Sequence, residues 1–85
     1  MTQRRTLVVL LQDHPGALTR AVSVFRRRGI NIVSLHVQPT ARTGMSELTC
    51  VVDAESVDDI NRSLGKLVEV IEVHEVHHSQ ADGEP

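Results

Sequence analysis

Six residues, Asp13, His14, Pro15, Gly16, Ala17 and Leu18, stand between two segments of different hydrophobic period. Before them, Leu7, Val8, Val9, Leu10 and Leu11 form a continuous apolar run of strand length. After them, Leu18, Ala21, Val22 and Phe25 recur at the i, i+3, i+4, i+7 spacing of a helix face. The chain must therefore leave a strand, turn sharply and start a helix within a few residues. A helix start carries free backbone N–H groups and partial positive charge, so it attracts carboxylates and phosphates. Gly16 lets a ligand approach the backbone without a Cβ in the way. Pro15 has no N–H to lose, and its fixed φ suits a first helical turn. Asp13 offers an acceptor for an ammonium. Donors for an anion beside an acceptor for a cation suit a free amino acid. The plain alternative is a connecting turn of the kind every strand–helix unit needs.

The rest of the chain repeats this grammar. The continuous apolar run predicts a first strand over residues 6–11, buried on both faces. The periodicity predicts a helix over 15–28, with Arg26, Arg27 and Arg28 in its last turn, where positive charge suits the dipole. Gly29 then ends it as a left-handed cap, followed by the apolar Ile30. A second strand is expected over 31–39, with Val33, Leu35 and Val37 on one face and Ile32, Ser34 and His36 on the other. Residues 40–44 are a polar turn of hairpin length. A third strand over 45–53 turns Leu48, Cys50 and Val52 inward. Ser56 followed by Asp59 resembles a capping box, so a second helix starts there with Val57, Ile60 and Leu64 as its apolar stripe. Residues 68–76 make a fourth strand whose untidy alternation implies a bulge or burial on both faces. Residues 77–85 are polar and bear Gly and Pro, the composition of a disordered tail. The order β-α-β-β-α-β with right-handed crossovers gives a ferredoxin-like α+β fold. Its four-stranded antiparallel sheet, in the order 4-1-3-2, carries both helices on one face. Strand two is then an edge without a blocking Pro until Pro39, which invites pairing with a second copy through strand two and helix one.

Composition narrows the function. An 85-residue chain is one small domain, and oligomerisation is the usual source of extra stability when disulfides are absent. Cys50 is the only cysteine and lies in an apolar run, so it reads as a reduced, buried small hydrophobe in a cytoplasmic protein. Residues 1–5 are not followed by the apolar core of a secretion signal, and no apolar stretch approaches membrane-spanning length. A net charge of −2 gives no general pull on nucleic acid. Sheets of this topology that bind RNA stack bases on exposed aromatics, and Phe25 is the only aromatic here. His74, His77 and His78 have a spacing that could hold a metal, but without a nearby Cys they read as solvated histidines. His14 sits in the turn, and His36 lines solvent or a subunit interface. No catalytic triad, phosphate loop or carboxylate pair stands out, so neither a cofactor nor catalysis is expected of the chain itself.

Residues 6–20, from Thr6 through Asp13-His14-Pro15-Gly16-Ala17-Leu18 to Arg20, resemble the opening of an ACT domain. Residues 25–40, with Arg28-Gly29-Ile30-Asn31-Ile32, then Ser34-Leu35, Val37 and Pro39-Thr40, are similar to the regulatory small subunits of acetolactate synthase. Leu67-Val68-Glu69-Val70-Ile71 is similar to the segment that closes that family's ACT domain. The likeness spans residues 4–76 and is that of a short form of the subunit. It implies a non-catalytic homodimer that binds valine or a related branched-chain amino acid. It also implies a partner, the catalytic subunit, whose activation and feedback inhibition the domain mediates. By position, the effector site would take Asp13, His14, Pro15, Gly16, Ala17 and Leu18 from one subunit and Asn31 and Ile32 from the other. Many members carry Asn where this chain has Asp13. Two other readings stay open: a stand-alone ACT sensor for another enzyme or a transcription factor, and a dimerisation module that binds no ligand.

Overall fold

A computed structural model describes residues 2–76. The expected tail, 77–85, lies outside the described residues. The chain runs β1 (Gln3–Gln12), α1 (Ala17–Arg27), β2 (Asn31–Pro39), β3 (Met45–Ala54), α2 (Asp58–Gly65) and β4 (Val70–Val76). The sheet order is β2-β3-β1-β4 with every pairing antiparallel, the expected ferredoxin-like arrangement.

One face of the sheet makes the core. Leu7, Val9 and Leu11 of β1 alternate with half-buried neighbours; Cys50 and Leu48 of β3 pair with Leu7 and Val9, and Val52, opposite Arg5, extends the same face. Ala21, Val24 and Phe25 of α1 and Ile60 and Leu64 of α2 close over this surface, with Val57 from the loop before α2. The continuous apolar run of β1 therefore does not mean burial on both faces. Val8 and Leu10 point to the uncovered side and are only half-buried, because both helices pack on the other.

Three elements are shifted from their expected form, each for a local reason. Helix α1 begins at Ala17, after a left-handed Gly16 with φ 85°, and Pro15 lies in the turn before it. Its buried stripe is Ala17, Ala21, Val24 and Phe25 rather than 18, 21, 22 and 25, which leaves Leu18 on the flank at 38% exposure. Strand β2 skips one residue between Ile32 and Ser34 in its pairing with β3. Ile32, Leu35 and Val37 thus pair with Val52, Cys50 and Leu48 and share the helix side, and Val33 is the extra residue of the bulge. Helix α2 has Val57 as its N-cap, and no capping box closes. Ser56 Oγ accepts the Asp58 N–H at 3.2 Å, while the Asp59 carboxylate pairs with Arg62 at 3.0 Å.

The remaining elements differ only at their ends: β1 starts three residues earlier than expected, at Gln3. Helix α1 ends as expected: Gly29, φ 69°, donates to Arg26 O, and Ile30 donates to Phe25 O while packing on the core. Strand β4 starts two residues later than expected and carries the bulge. Its pairing jumps from Glu72 opposite Leu10 to Val70 opposite Leu11.

Candidate functional site

Three connections meet at the end of the sheet where β1 finishes. Gln12 donates its N–H to the main-chain oxygen of Glu69, between α2 and β4, at 2.8 Å. Asp13 donates to Gly44 O, in the β2–β3 hairpin, also at 2.8 Å. His14 N–H returns to Gln12 O at 2.9 Å, and Ala17 N–H to His14 O at 3.0 Å. The turn between β1 and α1 is thus fixed by backbone bonds to two other loops.

The start of α1 is open. Arg20 N–H makes the first intrahelical bond, to Gly16 O, at 2.9 Å. No side chain caps the helix, no acidic residue lies in its first turn, and the N–H groups of Leu18 and Thr19 have no partner among the described residues. Two donors and the positive end of the helix dipole are therefore available to an anion. Beside them lies a recess of about 100 Å³, lined by Asp13, His14, Ala17 and Leu18 from the turn and helix, and by Leu11, Gln12, Val37 and Ser46 from the sheet. It joins polar groups of the turn to apolar side chains, as an amino acid with an aliphatic side chain requires.

Of the residues expected in a site, Asp13, His14, Ala17 and Leu18 line this recess, and Pro15 and Gly16 complete the turn without lining it. Gly16 has a different reason to be glycine from the open approach expected of it. Its φ is positive, and a Cβ there would lie 3.1 Å from Nη1 of Arg20. Asn31 and Ile32 stand at the opposite end of β2, six and five residues from Val37, which puts Asn31 roughly 20 Å away by strand rise. Asn31 Nδ2 donates to Asp53 Oδ2 at 3.3 Å, and Ile32 packs against the core. A single chain therefore does not bring these two to the turn.

The sequence reading missed Arg20, Glu69, Val37 and Ser46. Arg20 is four residues beyond Gly16, so helical spacing alone places it over that residue. Glu69 had no local signal, because it reaches the turn only through the fold. Its carboxylate pairs with Arg20, and the arginine's hydrogen bond and charge hold its pKa below the usual carboxylate value. The Cys50 thiol is buried, and desolvation pushes its pKa up to about 11. His36 is exposed, on the sheet face away from the helices. His74 stands 3.7 Å from Glu72, while His77 and His78 lie outside the described residues. No group of three metal-binding side chains occurs among the described residues, and no helix there is long and apolar enough to cross a membrane.

A βαββαβ sandwich with an open helix start at the β1–α1 turn is an ACT-type domain. Residues 7–72 match the family described as the AHAS small subunit-like ACT domain. A probable acetolactate synthase small subunit of Archaeoglobus fulgidus is 40% identical over 83 residues, covering 95% of this chain and 52% of the relative. The acetolactate synthase small subunit of Mycolicibacterium smegmatis is 45% identical over 76 residues, covering 87% and 45%. The crystal structure of the acetolactate synthase small subunit from Thermotoga maritima superposes with a TM-score of 0.85 at 27% identity, covering 93% of this chain and 50% of that one. The chain belongs to the AHAS small subunit-like ACT domain family. It spans about half the length of the relatives it matches.

Proposed function

We propose that the chain is the effector-binding domain of a cytoplasmic regulatory subunit of acetolactate synthase. It binds valine or a related branched-chain amino acid between two copies and conveys activation and feedback inhibition to the catalytic subunit, without catalysing a reaction itself. The observation that carries this reading is the open start of α1 beside a small recess with apolar walls. The N–H groups of Leu18 and Thr19 would take the effector carboxylate, and Leu11, Leu18 and Val37 would meet its side chain.

The second half of the site would come from a second copy. Strand β2 is an edge, and Leu18, Val33, Leu35 and Val37 leave 38–41% of their surface exposed along it and the flank of α1. Antiparallel pairing of β2 with its symmetry mate about Leu35 sets each Asn31 opposite the other chain's position 39, next to Val37 and the recess. The Asn31 side-chain oxygen, which accepts no bond among the described residues, could then join Asp13 in holding the effector ammonium.

Titration calorimetry with valine, leucine, isoleucine and, as a control, lysine tests the reading. Saturable binding of an aliphatic amino acid, one per turn, is the expected result. Heat from none of the three aliphatic ligands would reject it. Co-purification with a thiamine-diphosphate synthase tests the partner. Consistent recovery of a different enzyme instead would move the domain to another pathway.

A further inference from the structure

The space that a side chain at Gly16 would occupy is already filled. The Arg20 guanidinium lies against it, with Nη1 at 3.1 Å and Cζ at 3.6 Å from the Cβ position. Nη2 of the same group donates to the Glu69 carboxylate. Glu69 is 8% exposed, the only buried polar or charged residue among those described. A carboxylate is kept out of water at such a place only with a charged, hydrogen-bonded partner. The main-chain oxygen of Glu69 also accepts the Gln12 N–H. One residue thus grips the turn at both ends, at its entry through the backbone and at the first turn of α1 through Arg20. Neither Arg20 nor Glu69 lines the recess.

We propose that Arg20 and Glu69 are positioning residues that brace the β1–α1 turn from behind and hold it in the shape that binds an effector. This rests on the turn being the amino-acid site. Arg20 fills the gap that glycine leaves, Glu69 fixes Arg20, and the N–H groups of Leu18 and Thr19 keep one direction. Neither side chain need touch the effector. Substitutions at Gly16 would then act by displacing the Arg20 guanidinium and breaking the brace, not by blocking the ligand.

Glu69→Gln keeps the side-chain shape and removes its charge. Two measurements on the whole chain test the brace. In native-state hydrogen exchange, the hydrogen-bonded amides of Gln12, Asp13, His14 and Ala17 are expected to open about tenfold more often while those of β3 hold their rates, since the acceptor's charge is lost at one place. In calorimetry, valine affinity is expected to fall about tenfold, and Arg20→Lys, which keeps the charge, to lose less than Arg20→Met. Should Glu69→Gln fail to fold, Arg20→Met, altered at a half-exposed side chain, carries the same comparison. Unchanged exchange at Gln12, Asp13, His14 and Ala17 overturns the proposal. So does a loss of affinity accompanied by equally faster exchange throughout β3, which marks a general loss of stability. If the native chain binds no aliphatic amino acid, the effector reading fails, and the exchange comparison still decides whether the brace exists.

Discussion

Gly16 shows how one backbone angle sets what a substitution can report. With φ at 85°, any L side chain there is strained by about 1–2 kcal/mol before it touches a neighbour. Gly16→Ala should therefore lower thermal stability and weaken effector binding modestly. Gly16→Asp adds a carboxylate that competes with Glu69 for Arg20, so it should abolish binding at a similar stability. Melting curves and calorimetry on both variants check this, and equal loss of binding in the two would favour simple occlusion. Asn31 makes the opposite case, an exposed residue whose only side-chain bond among the described residues is to Asp53. Asn31→Ala should cost little stability but weaken the effector about ten- to hundredfold, the worth of a charge-assisted bond to its ammonium. If affinity is unchanged and activation is lost instead, Asn31 belongs to the contact with the catalytic subunit. Cys50 gives a pH test. Its thiol ionises near 9.0 in the unfolded chain and at about 11 in the folded one. The contribution is complete below pH 9 and lost as pH rises from 9 to 11, because only the unfolded chain sheds the proton in that window. Urea midpoints should fall more steeply across it for the native chain than for Cys50→Ala, and parallel curves would refute the assignment.

Six elements in the right order were legible because strand and helix periods alternate cleanly and Gly29 and the 40–44 turn punctuate them. What the sequence hid lies where backbone irregularity changes the face a residue points to. In β2 the bulge at Val33 moves Ile32 onto the side of Leu35 and Val37, a shift invisible to period-two counting. In α1 the helix starts two residues late, and the stripe turns with it, putting Leu18 beside β2 instead of in the core. Both changes bear on the same flank. Leu35 and Val37, on the helix side of an edge strand, are 41% and 40% exposed because neither helix reaches over them. An apolar edge of this kind pairs unless charge blocks it. Leu35→Glu should leave the monomer fold intact, since the position is open, and should convert a dimer to a monomer in sedimentation equilibrium. A dimer that persists in Leu35→Glu would place the interface elsewhere, for instance on the uncovered sheet face around Val8 and Leu10. The candidate site was half legible. The turn announced itself by composition, whereas Arg20, Glu69 and Val37 join it only through tertiary contacts.

The two ends of β2 carry different halves of the candidate site, and this fixes how binding must couple to assembly. Asp13 and the open N–H groups lie at one end, Asn31 at the other, roughly 20 Å apart along the strand. If an effector is held by the turn of one copy and Asn31 of the other, it has full affinity only for the dimer. Linkage then requires that the effector tighten dimerisation by the same factor by which dimerisation tightens the effector. Valine should lower the dimer dissociation constant measured by sedimentation. At a hundredfold excess over its own Kd it should add about 2.7 kcal/mol per site to the stability of the dimer. Leu35→Glu, as a monomer, should then bind valine at least tenfold more weakly although its turn is untouched, because the partner's bond to the ammonium is missing. Lysine, whose side chain does not suit the apolar wall, should leave the dimer constant where it was. If valine binds the monomeric variant as well as the native chain and leaves dimerisation unchanged, the whole site lies within one copy and Asn31 has no part in it.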